Sequence, residues 1–411
     1  MRDILHDQFC KQSKVMCDWY AEKASKLSVP IYSSYDIRDA GFKVSNVDAN
    51  IFPAGFNNIC PTDKESAPDL LRSYLDNRYG SHTTRILLIT EEHTQNPHYW
   101  DNVYTIQSLL KSAGREVMVS FPKALDDVLT MTSARGHTIQ VHTGDLKSES
   151  VLRFAPQLVI SNNDFSESRE EWADSLTLPM NPPRELGWYQ RKKSRYFKHY
   201  NRLVAEIADL SGFDPFLLSV KTEVNESFDV GNDQSRKILA EQVDQMLAGL
   251  KETYKQKGIN QEPFVFVKNN SGTYGLAVIR VSSGKEVLEW NYKAKKKMKA
   301  AKGGRDVEEV IIQEGIPSIV QSDGASAEPV IYMIGCQLAG GFLRTHSEKS
   351  GTESLNSPGA VYKRLCVSDL NVSLAGSPLE NVYGWSAKLG LLAIALEAKE
   401  MGVQFKGYTQ V

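Results

Sequence analysis

The sequence predicts an α/β (α+β) fold, with a parallel sheet towards the N-terminus and a β-rich C-terminal third. Three observations carry that expectation. Short apolar, β-rich runs alternate with a helix-like segment between residues 85 and 161, the strand–helix–strand order from which parallel sheets are built. In the last third, strand-like runs flank a glycine-containing loop. Of the 411 residues, 41% are hydrophobic, enough for two or three cores when a domain usually takes about 100–200 residues.

Taken in order, Leu5, Phe9, Val15, Met16 and Trp19 recur near helical spacing and predict helix over the opening stretch. Residues 31–62 carry Gly, Pro and Asn throughout and read as ordered loop. Arg85–Thr90 reads as a strand, Tyr99–Ala113 as a helix stopped by Gly114, Glu116–Val119 as a second strand and Gln157–Ser161 as a third. Asn162-Asn163-Asp164 follows that third strand directly, and polar residues at strand ends point to a ligand crevice at the carboxyl edge of the sheet. Pro179–Pro183 breaks the chain before a basic amphipathic stretch, Arg191–Leu210, and a turn at Gly212–Pro215. Ser235–Tyr254 reads as a helix with Ile238, Val243, Met246 and Leu250 apolar, and a domain transition is expected within 200–260. Phe264–Val267, Leu276–Val281, Val310–Gln313 and Val330–Ile334 are strands, and Tyr383–Met401 is a largely apolar helix.

Charge and cysteine usage narrow the class. Lys and Arg number 48 against 50 Asp and Glu, a net −2, so there is no global attraction to nucleic acid or to an anionic membrane. The longest apolar stretches, such as Leu389–Leu396, fall far short of the ~20 residues that span a bilayer. The opening residues carry acids and lack a secretory core. Five cysteines at 10, 17, 60, 336 and 366 form no CxxC pair, which argues against a disulfide framework and a zinc ribbon and for a reducing, cytoplasmic setting. A homo-oligomer is left open. Tyr292–Lys302 holds six lysines, Lys293, Lys295, Lys296, Lys297, Lys299 and Lys302. A short basic cluster without interleaved aromatics is more often a solvated face than a nucleic-acid patch, and here it is also placed to lend positive potential to a lid.

The most informative segment is Phe264-Val265-Phe266-Val267-Lys268-Asn269-Asn270-Ser271-Gly272-Thr273-Tyr274-Gly275-Leu276. A strand delivers a lysine into a loop with Ser, Thr and two glycines. Glycines let main-chain N–H groups close on phosphate oxygens while the ammonium offsets their charge. The next element is a strand, so this is neither the helix-initiating P-loop nor a dinucleotide fingerprint. On its own such a hairpin is more often structural. Downstream, Ile311-Ile312-Gln313-Glu314-Gly315-Ile316-Pro317 is an apolar strand ending in an amide and a carboxylate. That edge suits adenine through main-chain groups, with Glu314 facing an exocyclic amine or a ribose hydroxyl. Glu328, Arg344 and Asn356 follow in polar settings.

On the N-terminal side, Tyr35-Asp36-Ile37-Arg38-Asp39-Ala40-Gly41-Phe42-Lys43 leads into Val47-Asp48-Ala49-Asn50-Ile51-Phe52-Pro53-Ala54-Gly55-Phe56-Asn57-Asn58. Arg38 and Lys43 suit carboxylates, Asp48 an α-ammonium, and Asn50, Asn57 and Asn58 either, as a zwitterionic amino acid requires. A solvated loop with Asn-type turns accounts for the same residues. His93, His98 and His346 are further polar candidates.

The order of these segments resembles the ATP-grasp superfamily. The resemblance implies that Lys268 binds phosphate, that Ser271, Gly272, Thr273 and Gly275 form a lid loop, and that Gln313, Glu314, Gly315 and Ile316 hold the base. It assigns Arg344 to the transferring phosphoryl group or acyl phosphate and Glu328 and Asn356 to Mg2+. The superfamily's Glu-x-Asn metal pair has no clear copy, since Glu380-Asn381 has the wrong spacing. The chain from about residue 30 to 400 is also similar to the proteobacterial glutamate–cysteine ligase family. The matching segments are the 48–58 loop, Glu91–Asn96, Asn162–Asp164, Arg184–Arg195 and Val267–Gly275.

That likeness implies an N-terminal Rossmann-like parallel-sheet domain followed by an ATP-grasp module of two α+β subdomains. Residues 1–200 would bind substrate, 201–260 connect, and 261–411 bind nucleotide. The implied reaction joins L-glutamate and L-cysteine at the expense of ATP through a glutamyl phosphate. Catalysis is then electrostatic positioning by Lys268 and Arg344 under a loop that keeps water off the intermediate. Two alternatives stay open. One is another ATP-grasp carboxylate–amine ligase, such as a glutathione synthetase-like enzyme. The other is a non-catalytic nucleotide or nucleic-acid binder.

Overall fold

The computed structural model describes residues 2–410 apart from 93–94, 273–274, 300–306 and 375–376. Among the described residues, three main sheets organise the chain. The first is largely parallel. Arg85–Ile89 lies between Glu116–Ser120 and Leu158–Ser161, with Thr138–His142 and Met180–Asn181 outside them and Leu129–Thr132 antiparallel at the edge. Ile86, Leu87, Leu88 and Ile89 are all fully buried, because a parallel strand covered on both faces has no polar side to show. The helix Pro97–Ser112 starts at Asn96, whose side chain accepts the Tyr99 N–H, and is followed by Gly114 at φ +84°.

The second sheet is antiparallel and runs Val361–Leu365, Gln337–His346, Ala325–Ile334, Tyr32–Asp39, Val44–Asn50. It corrects the reading of 31–62 as loop: residues 32–50 form a strand hairpin. Ser33, Ser34, Asp36, Arg38, Asp39, Ser45 and Asn46 are all buried in it. A strand with polar side chains on buried faces gives no apolar alternation to read. The sheet also crosses the boundaries expected at 200 and 260, since strands from both ends of the chain lie side by side in it.

The third sheet, Val278–Val281, Val265–Asn269, Val310–Glu314 and Thr222–Asn225, is antiparallel. It packs on the helix Asp233–Gln256 through a core of its own that includes Leu239, Val243, Met246, Val265, Val267 and Ile312. The helices Lys193–Ser211 and Val382–Glu400 belong to the main core. Arg191, just ahead of the first of them, is buried. Its Nε meets Glu397 Oε2 at 3.0 Å and one terminal nitrogen donates to Ala49 O at 2.8 Å, so one guanidinium ties the last helix to the N-terminal hairpin.

The cysteine expectation is corrected too. Cys60 and Cys366 are joined in a disulfide, while Cys10, Cys17 and Cys336 are free. The pair lies 306 residues apart in sequence, so no local spacing announces it. Lys293 and Lys296 stand exposed on the short helix Tyr292–Met298, which buries Met298 in the smaller core; Lys302 lies outside the described residues. No helix is long and apolar enough to cross a membrane.

Candidate active site

Register builds the centre of the site. On adjacent strands of the antiparallel sheet, Arg344 faces Glu328, Asp36 faces Val330 and Asp48 faces Asp36. Glu328 and Val330 are two apart and share a face, so four charged side chains form a row across the sheet. Arg344 reaches Asp36 Oδ2 at 2.7 Å and Glu328 Oε1 at 2.6 Å, and Arg38 Nε meets Glu328 Oε2 at 2.5 Å. Lys193 closes the row on Asp48 at 2.5 Å. Burial works to raise the Asp36 carboxyl above its ordinary value, with Arg344 opposing and Glu328 adding. For Glu328 burial is outweighed by Arg38 and Arg344, which hold its carboxyl low. Burial likewise pulls against Asp48, and Lys193 and Lys268 outweigh it.

Two cavities adjoin this row. The first is lined by Arg38, Asp48, Lys193, Lys268, Gln313 and Asn356 together with Gly272, Gly275, Glu314, Ile316 and Glu328. Lys268 Nζ donates to Gln313 Oε1 at 2.6 Å and to Val47 O at 3.1 Å. The lysine hairpin and the Gln313–Ile316 edge, on neighbouring strands, therefore line one space. Gln313 Nε2 is buried there without a partner among the described residues, a donor that a nucleotide base or phosphate would satisfy. Gly275 has φ +67°, and a Cβ on it would stand 2.7 Å from Asn356 O. Gly275→Val is accordingly expected to raise the KM for nucleotide about tenfold or more, with an unchanged circular dichroism spectrum, because the hairpin must back away from Asn356.

Burial, offset in part by Asp48, pushes the Lys268 ammonium down to about 8. Between that value and the ordinary lysine range the unfolded chain holds more protons than the folded one, so this group makes stability rise with pH there. Nucleotide binding runs the other way. Its affinity is expected to fall about fivefold from pH 8 to pH 9 as the charge is lost, which fluorescence or calorimetric titration of ATP against pH would read.

The second cavity, about 800 Å3, is lined by Asn50, Asn57, Asn58, Asp164, Trp188 and Tyr332 among others, and by Arg344 and Asn356. Asn356 therefore lines both cavities. Arg344 Nε, Asn57 Oδ1 and Ser357 Oγ are buried on this second wall without partners among the described residues. Asp164 comes from the end of the parallel strand Leu158–Ser161, where a crevice was expected.

Several expected residues sit elsewhere. Arg38 and Asp48 line the first cavity and not the second. Lys43 lines neither. It lies buried 2.9 Å from both oxygens of Glu314 and over the Phe216 ring at 4.2 Å, and burial, against Glu314, pushes its ammonium down. The Glu314 carboxylate is thereby turned away from any base, taking Lys43, the Lys221 N–H at 3.1 Å and the Tyr254 hydroxyl at 3.4 Å. Gly315 serves packing, since a Cβ there would meet the Phe264 ring at 2.2 Å. Ser271 is not among the residues lining the first cavity, and its main-chain N–H donates to Asn269 Oδ1 at 2.9 Å in the turn of the hairpin. Thr273 and His93 lie outside the described residues. His98 stands on the rim of the second cavity, and His346 is spent on Pro358 O at 3.0 Å and the Glu348 N–H at 3.2 Å.

Glu328 and Asn356 do not fit a divalent cation in this arrangement, because each Glu328 oxygen already faces a different arginine. No step below runs through a metal held by them. Sequence reasoning passed over Asp36, Lys193 and Trp188. The last two lie inside the Arg184–Arg195 segment that carried the family resemblance, and Lys193 Nζ sits 4.6 Å over the Trp188 ring.

Two cavities that share Asn356, with Arg344 on the second paired to the Asp36 and Glu328 carboxylates of the first, suit an enzyme that activates a carboxylate in one with a nucleotide in the other; the class is that of ATP-dependent ligases. The family model described as Glutamate-cysteine ligase matches residues 6–398, and the chain belongs to that family. A crystal structure from Methylobacillus flagellatus KT, described as an inferred gamma-glutamylcysteine synthetase, is 32% identical, covering 97% of this chain and 96% of that one at a TM-score of 0.86. A D-alanyl-alanine synthetase A from Vibrio cholerae O1 biovar eltor is 12% identical over 79% of this chain and 82% of its own, at a TM-score of 0.32. A carboxyaminoimidazole ribonucleotide synthase from Aspergillus clavatus, complexed with ATP, is 13% identical over 64% and 57%, at 0.30. The last two superpose too loosely to bear on this chain. Comparison with curated proteins finds no match.

Proposed function

We propose that this ligase forms γ-glutamylcysteine by phosphorylating the side-chain carboxylate of glutamate and passing the acyl group to the amine of cysteine. ATP occupies the first cavity and the amino acids the second. A carboxylate oxygen attacks the γ-phosphorus and the bond to ADP breaks. The cysteine amine then attacks the acyl carbon, phosphate leaves with the C–O bond electrons, and the nitrogen gives up a proton.

The observation that carries this reading is the position of Arg344. Its terminal nitrogen is fixed by two carboxylates that line the first cavity, while the residue itself lines the second and its buried Nε has no partner among the described residues. It is thus preorganised where negative charge develops on the group in transit. Lys268 neutralises phosphate oxygens, the glycines at 272 and 275 let the hairpin close on them, and Asn50, Asn57 and Asn58 face the amino acids. Mg2+ is proposed as an ion carried in by the nucleotide and not by a built protein site. The two-subdomain ATP-grasp arrangement and a cytoplasmic setting belong to the same proposal. ADP release measured with glutamate plus cysteine, and with γ-glutamylcysteine plus glycine, tests it. Release with the second pair and not the first would move the chain to the glutathione-forming reaction.

A further inference from the structure

An α-amino acid carries an ammonium and a carboxylate on one carbon, so its site needs an acid and a base within a few ångströms of each other. Asp101 and Arg135 meet that need on the wall of the second cavity. Asp101 lies in the first turns of the helix Pro97–Ser112 and is 4% exposed. Its Oδ1 accepts the main-chain N–H of Arg135 at 3.1 Å, which fixes the carboxylate to the residue that bears the guanidinium.

Arg135 is at the tip of the hairpin of Leu129–Thr132 and Thr138–His142. That tip is docked. The Ala134 N–H donates to Pro97 O at 2.9 Å, and the His137 ring stacks on Tyr104 at 3.8 Å. Among the described residues no carboxylate pairs with the Arg135 side chain. Beside it, Lys64 Nζ donates to Asn57 O at 2.5 Å. Burial, and after it the charge of Arg135, pushes the Lys64 ammonium down. Two cations this close to each other favour an anion beside them. Asn57 Oδ1, buried without a partner, supplies an acceptor on the same wall.

We propose that Asp101, Asn57 and Arg135 form the head-group clamp of an amino-acid substrate, Asp101 and Asn57 Oδ1 receiving the α-ammonium and Arg135 the α-carboxylate. The proposal rests on the ligase reading. Arg344 is buried and Arg135 is exposed, so the clamp holds the head at the rim, away from the nucleotide. For glutamate that leaves the side-chain carboxylate to be activated, the choice a γ-linked product requires. Glutamate and cysteine carry the same head, and the experiment separates them.

The test is R135Q in the full chain, which keeps the main-chain N–H that docks the hairpin, with R135K and D101N beside it. In ADP release, R135Q is expected to raise the KM of one amino acid tenfold or more, with KM for ATP changed less than twofold and partial recovery in R135K. Wild type should prefer glutamate to γ-aminobutyrate, or cysteine to cysteamine, and R135Q should lose that preference for the same amino acid. Both KM values within twofold of wild type, with the preference kept, overturn the clamp. A wild-type chain that releases no ADP with glutamate and cysteine sinks the ligase reading separately. Calorimetric titration of each amino acid then decides the clamp: weaker binding to R135Q than to wild type upholds it, and equal affinities or no binding to either overturn it.

Discussion

Lys268→Ala is expected to lower turnover about 100-fold or more while leaving the fold in place, the scale of losing one preorganised charge contact. The side chain ends in a cavity, not in a core, and its two hydrogen bonds run to Gln313 Oε1 and Val47 O. Removing it strands the Gln313 amide at a cost of about 1 kcal/mol, well short of unfolding a chain with two buried cores. Asp48 keeps Lys193 as its partner, so no carboxylate is orphaned. Turnover from ADP release and a thermal melt give the answer together. A folded variant with wild-type turnover removes Lys268 from the chemistry.

Arg344→Met is expected to do more damage and of two kinds. The guanidinium is buried between Asp36 and Glu328, and breaking such a pair by deleting one partner costs about 3–5 kcal/mol. Glu328 retains Arg38, whereas Asp36 loses the one cation that pairs with it among the described residues. Asp36 already titrates above its ordinary value through burial, and without Arg344 it rises further. A carboxyl whose folded value lies above its unfolded one holds protons in the folded state, so its penalty grows as pH rises through that window. The stability deficit of Arg344→Met should therefore be larger at pH 8 than at pH 5. Turnover should fall about 10³-fold, as when a transition-state arginine is lost. Adding Asp36→Asn separates the effects: the double variant is expected to regain melting temperature and not turnover. Recovery of both would make Arg344 a structural residue alone.

Three parallel strands, at 85–89, 116–120 and 158–161, were legible because each carries an apolar run, as at 86–89, whereas the short or alternating strands Thr138–His142 and Met180–Asn181 were not. The hairpin at 32–50 was not, because its buried side chains are serine, aspartate, asparagine and arginine and look like surface until the row of charges opposite them is known. The same logic divides the site. Lys268, Gly272, Gly275 and Gln313 were named from local pattern and Asn356 from the superfamily resemblance, and the structure places them around one space. Lys43 and Glu314 were each given to a ligand, yet 271 residues apart in sequence they bind each other, and nothing local to either reveals it. Asp101 and Arg135 were silent, since the hairpin that docks one on the other has no motif. The Cys60–Cys366 link was hidden by its separation.

The sheet built from both ends of the chain governs how the protein must be born. Tyr32–Asp39 has Ala325–Ile334 as its neighbour, so on a ribosome adding about 5–20 residues per second its open edge waits roughly 15–60 s for that partner. The last helix, Val382–Glu400, then seals the core over it. The nascent chain thus carries a hairpin with one open edge for most of its synthesis, the kind of edge that invites pairing with another chain.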